Sequence, residues 1–349
     1  MYPRVSIHIV AWNSMDFLPE LMASIAAQTY RDFTVLVIDN ASTDGVEPWM
    51  RQHHPRVSIL RNVRNLGFSP AHNQAIRYAL DHWAGEDLND RFVLVTNPDV
   101  ILSPTFLETI LKEPGAFPQV GSFTGKLLRA HVEHADDDAL KETMRSDRID
   151  STGLVAHRNR TFTDRGAGEL DQGQYDQARD VFGVSGALAL YRASALQEAR
   201  YRDEFFDQDF FAYKEDVDLA WRLRLLGWGA RYVPGAVAHH HRNMYGAEKI
   251  GFIETIKNRM KKSKRRSFFS NRNHWSMYMK NELLWNAFLS WPFVKWMEFK
   301  RVVYTAIFEP TNLRAFWEAI TRTPRMLAKR SDTMKKRKAT ASDMRAWFV

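Results

Sequence analysis

Four short apolar runs, each followed by polar turn residues and then by a helical stretch, restrict this chain to one kind of sheet. Residues 5–10 (VSIHIV), 33–38 (FTVLVI), 57–60 and 92–95 (FVLV) read as buried strands. Between the first two, residues 17–27 set Leu18, Leu21, Met22 and Ile25 at helical spacing, and a second helix is expected over 70–82. Strands alternating with helices at such intervals specify a parallel α/β sheet. Ligands of these sheets bind beyond the carboxyl ends of the strands. Asp39, Asp44, Asn65, Asn97 and Asp99 all follow strand ends, so a site is expected among them.

The acid cluster Glu215-Asp216-Val217-Asp218 opens a later helical stretch that carries Leu219, Arg222, Leu223 and Leu226. Carboxylates crowd together at low cost only beside cations or a helix N-terminus. Asp218 and Arg222 are four apart and share a face, so they can pair. Asp216 lies roughly 160–200° away from that face, at about 100° per residue. One acid can therefore brace the helix while its neighbour faces a cleft. An ordinary acidic first turn on a surface helix is the competing reading.

Other segments are less regular. Residues 130–180 are polar and read as loop-rich, 181–190 (VFGVSGALAL) as a buried strand with Gly183 and Gly186 allowing close backbone approach, and 232–240 as a short strand ending in histidines. No cysteine occurs, which excludes disulfides, thiolate zinc sites and cysteine nucleophiles and fits a cytosolic setting. The first residues enter a strand at once, without a signal-peptide pattern.

Charge divides the chain of 349 residues. Residues 1–241 hold 25 Lys and Arg against 33 Asp and Glu, whereas 242–349 hold 24 against 8. An acidic body with a basic tail suggests an anionic partner for the tail, either lipid or nucleic acid. Residues 257–266 (KNRMKKSKRR) carry seven basic groups, and ten aromatics follow between Phe268 and Phe299. The longest uncharged run, 283–294, falls short of the ~20 residues a bilayer span requires. Basic residues flanking Trp-rich amphipathic helices suit a membrane surface instead. A charged, frayed helix is expected over 329–345.

Several residues carry possible chemistry. Asp39 can accept a hydrogen bond from a pyrimidine imide N–H, or simply form an Asx turn. Asp44, before Gly45, carries the same two readings. Asn97-Pro98-Asp99 sets two oxygen-bearing side chains two apart, and Mg²⁺ or Mn²⁺ takes one or two carboxylates and then substrate phosphates. His240 is a reasonable further ligand, as neutral imidazole binds such ions. The phosphate loop, the G-x-G-x-x-G dinucleotide pattern and the G-x-S-x-G elbow are absent, which argues against NTPase, nicotinamide and serine-hydrolase chemistry.

The ordered set VSIHIVAWN (5–13), VIDNASTDG (37–45), NLGFSPAHNQAI (65–76), TNPDV (96–100), VSGALALYR (184–192), FFAYKEDVDLAWRLRLLGW (210–228) and AVAHH (236–240) resembles the family-two GT-A glycosyltransferases, closest to the bacterial rhamnosyltransferase-like branch. The resemblance covers about residues 3–245. It implies a GT-A α/β fold, Rossmann-like with a mostly parallel sheet flanked by helices, over residues 1–245. Residues 246–349 would form a basic, Trp-rich helical extension at a membrane surface. Trp12 and Asn13 would lie against the nucleoside and Asp39 would bind the pyrimidine. Asp44 and Asn65 would shape the donor pocket. The Asn97-Pro98-Asp99 turn stands where the family has D-x-D, with Asp99 and His240 holding Mg²⁺ or Mn²⁺. Asp216, in the place of the family's ED pair, would be the catalytic base, with Glu215, Ser185 and Gly186 on the acceptor side.

The implied reaction is inverting transfer of one sugar from a nucleoside-diphosphate donor to a glycan or lipid-linked acceptor. It would serve cell-wall or surface polysaccharide synthesis, at the cytoplasmic face of the inner membrane. Branch resemblance favours dTDP-rhamnose, ahead of UDP-galactofuranose and UDP-hexoses. The Q-x-x-R-W signature of processive synthases is missing, which favours single addition. Two rival classes are a sugar-nucleotide nucleotidyltransferase, which should show a glycine-rich phosphate loop, and a nucleic-acid-binding protein using the tail. Nucleic acid is not an expected partner of the glycosyltransferase.

Overall fold

The first apolar run becomes β1 (Val5–Ala11), and the computed structural model describes residues 2–134, 141–241 and 264–349. Helix α1 (Leu18–Ala26) follows, with Leu18, Leu21, Met22 and Ile25 buried as their spacing requires. Next come β2 (Phe33–Asp39), α2 (Val46–His53), β3 (Ser58–Arg61), α3 (Phe68–His82) and β4 (Phe92–Thr96). Strand β1 pairs in parallel with both β2 and β4, and β2 with β3. All three polar strand ends therefore open on one edge.

Beyond β5 (Val100–Leu102), α4 (Phe106–Ile110) and α5 (Glu113–Ala116), the polar region departs from the loop expected there. Strands β6 (Val120–His134) and β7 (Lys141–Ser151) pair antiparallel, followed by β8 (Leu154–Ala156) and β9 (Phe162–Asp164). Ladder hydrogen bonds make strands of these polar residues because β6 lies inside the sheet against β12 and β11. Short β10 (Arg179–Asp180) leads to β11 (Leu188–Arg192), so residues 181–187 are a buried loop rather than a strand. Gly183 explains part of that: a Cβ there would meet the Ala220 Cβ at 2.3 Å. Helices α6 (Ala193–Ala199) and α7 (Glu215–Leu225) precede β12 (Gly229–His241), which is longer than expected. The sheet order is β10-β12-β6-β11-β4-β1-β2-β3, with β11 antiparallel to both neighbours. The core fills both faces, with α1, α2 and α4 on one and α3, α6 and α7 on the other.

Among the described residues, four α-helices follow β12, with a short 3-10 turn (Pro310–Leu313) between two of them: α8 (Lys264–Asn281), α9 (Leu284–Phe308), α10 (Arg314–Lys336) and α11 (Ala341–Arg345). The basic run over 257–263 lies outside the described residues. The frayed helix expected over 329–345 is instead two helices, and Lys329 is buried. Met277, Met326, Met344 and Phe348 pack on Trp221 and Leu225 of α7. Each such buried side chain stabilises by about 1.5–3 kcal/mol. Among the described residues, no helix is long and apolar enough to cross a membrane.

Candidate active site

At the end of β2, the Asp39 carboxylate is fully buried. One oxygen accepts from the Ser42 amide at 2.8 Å, an Asx turn. Its other oxygen makes no hydrogen bond, and the Arg61 guanidinium stands 3.6 Å away. The turn reading is thus realised by one oxygen, while the other faces the Arg61 guanidinium. Trp12, after β1, is half exposed, and Asn13 is left-handed at φ 49°. The Asn13 side chain accepts from the Thr43 amide at 2.8 Å, while Asp44 accepts from the Met15 amide at 2.8 Å. Asp44 and Asn13 thus lace the β1 and β2 turns together.

Asn40, next to Asp39 in sequence, was not anticipated. Its amide donates to Asn65 Oδ1 and to the Gly67 carbonyl, both at 3.1 Å, and its oxygen accepts from Asn62 at 3.0 Å. Asn65 in turn accepts from the Gly67 amide at 2.8 Å, so it shapes the loop rather than standing free. Gly67 has φ 85°, and a Cβ there would strike the Phe211 carbonyl at 2.3 Å. This close approach sets the β3–α3 loop on the segment leading into α7, where Phe68 N donates to Phe211 O at 2.7 Å.

That segment holds the acid cluster. Tyr213 and Lys214 are consecutive left-handed residues, at φ 72° and 75°. Such conformations cost on the order of 1–3 kcal/mol each and persist only where neighbours impose them. Asn273 of α8 does so, donating to the Ala212 and Tyr213 carbonyls at 2.9 and 2.7 Å. Asp218 pairs with Arg222 at 3.0 Å, as four-residue spacing predicts, and also binds Lys280 at 2.7 Å and Asn281 at 2.8 Å. Asp216 faces elsewhere. It accepts from the Gly186 amide at 3.0 Å and from the Val217 amide at 2.7 Å. A Cβ on Gly186 would lie 3.2 Å from the Asp216 Cβ, so glycine admits the helix to the loop. Glu215 is buried with one oxygen unpartnered; burial, and then the Asp216 charge, pushes its carboxyl up to about 8. Ser185 accepts a long 3.5 Å bond from the Ala187 amide.

The loop that binds Asp216 also reaches the metal-type turn, because Asn97 N donates to Ala187 O at 2.9 Å. Asp99 stands 3.3 Å from His240 Nε2, and the His240 Nδ1 meets Asp150 at 2.8 Å. Burial opposes the imidazole's charge, but Asp150 and then Asp99 outweigh it and raise its pKa to about 9. Asp150 was not anticipated, since it arrives from β7, which read as loop. A carboxylate on the far ring nitrogen is the usual way a ligating histidine is oriented. Among the described residues no group of three or more His, Asp or Glu forms a metal cage. Charged by Asp150 and Asp99, the His240 ring would have to give up a proton before it and Asp99 could hold an ion that completes its shell from substrate phosphates. Hydrogen-bonded steps thus link the sites near Asp39, Gly67, Asp216 and Asp99 around one sheet edge.

The sheet is mixed rather than mostly parallel, with carboxylates gathered at the ends of its parallel strands, and comparison with known proteins gives the family. Residues 3–274 match the family described as "Glycosyltransferase like family 2", and the chain belongs to it. It is 32% identical over 237 residues to the N-acetylglucosaminyl-diphospho-decaprenol L-rhamnosyltransferase of Mycobacterium tuberculosis, covering 67% of this chain and 74% of that one. It is 24% identical over 275 residues to the rhamnosyltransferase WbbL of Escherichia coli K12, covering 77% and 96%. In fold it is similar to the mannosyltransferase PcManGT of Pyrobaculum calidifontis, solved with GDP-Man and Mn²⁺, at TM-score 0.50 and 16% identity over 96% of this chain and 86% of that one. GalNAc-T7, solved with UDP, GalNAc and Mn²⁺, gives TM-score 0.52 at 11% identity over 87% of this chain, which spans 55% of that longer enzyme.

Proposed function

We propose that this glycosyltransferase works by inversion, moving a single sugar, rhamnose first among candidates, from a dTDP or UDP donor to a lipid-linked or glycan acceptor of cell-wall or surface polysaccharide. The observation that carries this reading is Asp216, at the N-terminus of α7, held by the Gly186 amide at 3.0 Å. Its loop is bonded in turn to the Asn97-Pro98-Asp99 turn. Support for the sugar and acceptor comes from the names of the mycobacterial and E. coli relatives.

Asp216 takes the proton of the acceptor hydroxyl as that oxygen attacks the anomeric carbon from the face opposite the nucleotide. The Gly186 amide holds the carboxylate in place at the N-terminus of α7. With Glu215 protonated at neutral pH, the pair presents one negative charge rather than two. Asp39, Asn13 and Trp12 receive the nucleoside, with Asp44, Asn40 and Asn65 fixing the turns around it. Asp99 and His240 would hold Mg²⁺ or Mn²⁺, and an ion there supplies Lewis-acid neutralisation of the departing diphosphate. A lipid-linked acceptor would put the enzyme at the cytoplasmic face of the inner membrane.

The test is Asp216→Asn assayed with dTDP-rhamnose and a prenyl-diphosphate-linked amino sugar. Turnover should fall about 10²–10⁴-fold while donor binding holds. Near-normal turnover would remove Asp216 from its role. For Asp99→Ala, the expected loss is in metal-dependent donor binding, and full activity in EDTA would take the ion out of the mechanism.

A further inference from the structure

Helix α9 is amphipathic the wrong way round for a helix in water. Its buried stripe is Asn286, Ser290, Val294, Glu298 and Thr305, mostly polar, at spacings of four and seven. Its outer face is aromatic: Trp285, Phe288, Trp291, Phe293, Trp296 and Phe299 are all exposed, Phe288 at 70% and Trp296 at 61%. Trp285 stacks on Phe288 and Trp296 on Phe299, so these rings cluster with one another rather than with the body. Trp317 and Ile320 of α10 are exposed as well. Exposed apolar surface on this scale marks an interaction site.

Charge on the same helix selects the partner. Its one acid away from the ends, Glu298, is buried against His274 at 3.0 Å and Arg301 at 3.6 Å. Lys295 and Lys300 are exposed, and the Lys300 ammonium sits 5.5 Å from the centre of the Trp296 ring. Trp291 and Lys295 also line a shallow groove against Trp275 and Tyr278 of α8. Aromatics flanked by lysines, with no acid among them, match the headgroup zone of an anionic bilayer. Three of the tail's basic side chains are turned inward instead. Lys280, Lys329 and Arg272 are buried against Asp207, Asp218, Glu204 and Asp209.

We propose that the outer face of α9, continued by Trp317 and Ile320, is a docking surface that lies in the plane of an anionic membrane with its aromatics inserted. Insertion of rings, more than attraction of charge, holds the protein there. This rests on the glycosyltransferase reading only in making that membrane the place where the acceptor is met.

Flotation of the full chain with phosphatidylcholine–phosphatidylglycerol vesicles tests the surface. The chain should float, and raising NaCl from ~0.1 to ~0.5 M should lower binding less than about threefold. Phe288→Glu, Trp296→Glu and Trp317→Glu together should cut binding at least about tenfold, at an unchanged melting temperature and unchanged donor turnover with a water-soluble acceptor. Brominated acyl chains should quench the fluorescence of the wild-type chain. Failure to float, equal flotation of the triple variant, or absence of quenching overturns the proposal. So does a wild-type dimer that the substitutions split and vesicles leave intact, since the face would then belong to a second copy. Absence of transfer by the wild-type chain on any acceptor would count against the glycosyltransferase reading and leave the flotation result standing.

Discussion

Glu215 and Asp216 are neighbours in sequence with opposite electrostatic surroundings. Glu215 is buried with an unpartnered oxygen, whereas Asp216 has two backbone amides on its carboxylate. Raising the Glu215 pKa from 4.5 to about 8 means the folded protein keeps a proton that the unfolded chain has already lost. Its favourable contribution is complete below the unfolded value and is lost as pH rises toward about 8. Glu215→Gln should therefore melt increasingly above wild type between pH 5 and pH 8, with the gap levelling off beyond. Thermal melts across that range check it, and a constant gap would mean Glu215 is already ionised at pH 5. Asp39 shows how far one residue can be read from sequence. Its position after an apolar strand indicated a turn, which one oxygen makes with the Ser42 amide, but not that Arg61 would face the other.

At the scale of elements, α7 is aimed by what surrounds it. The turn before it is doubly left-handed, Asn273 fixes its carbonyls, and Gly67 lets the β3–α3 loop sit on Phe211. Gly67→Ala should cost about 1–3 kcal/mol and lower turnover with it, read by denaturant titration beside kinetics. An unchanged midpoint would show that the loop can retreat from Phe211. The pairing of Asp218 with Arg222 was legible because spacing within one helix fixes which side chains meet. Lys280, Asn281 and Asn273 were not, since they reach α7 from some sixty residues away in sequence. The β6–β7 ladder was missed for a related reason. Its residues are polar, and their strand state depends on a place in the sheet that no local pattern records. Asp150 was lost with it, so His240 could be named a ligand without the carboxylate that orients it.

For the whole molecule, the division into an acidic body and a basic tail takes a different meaning. Asp207 is buried between Lys280 and Lys329; burial alone would raise its pKa, yet the two ammonium groups hold it well below the usual carboxylate range. Lys280→Met should cost about 3–5 kcal/mol by leaving buried carboxylates short of a partner. A chain ended at residue 241 should fail to fold cooperatively, as it strands Asp207, Asp218 and Trp221 together. A cooperative melt from that fragment would show the helices to be an accessory. Because buried Lys280 clamps Asp218 of α7, whose first turn carries Asp216, the proposed membrane footing and the proposed base belong to one frame. Such a frame works as a gauge: it fixes the height above the lipid at which a hydroxyl can be deprotonated. Acceptors with longer spacers between lipid and sugar should then react more slowly, whatever their affinity.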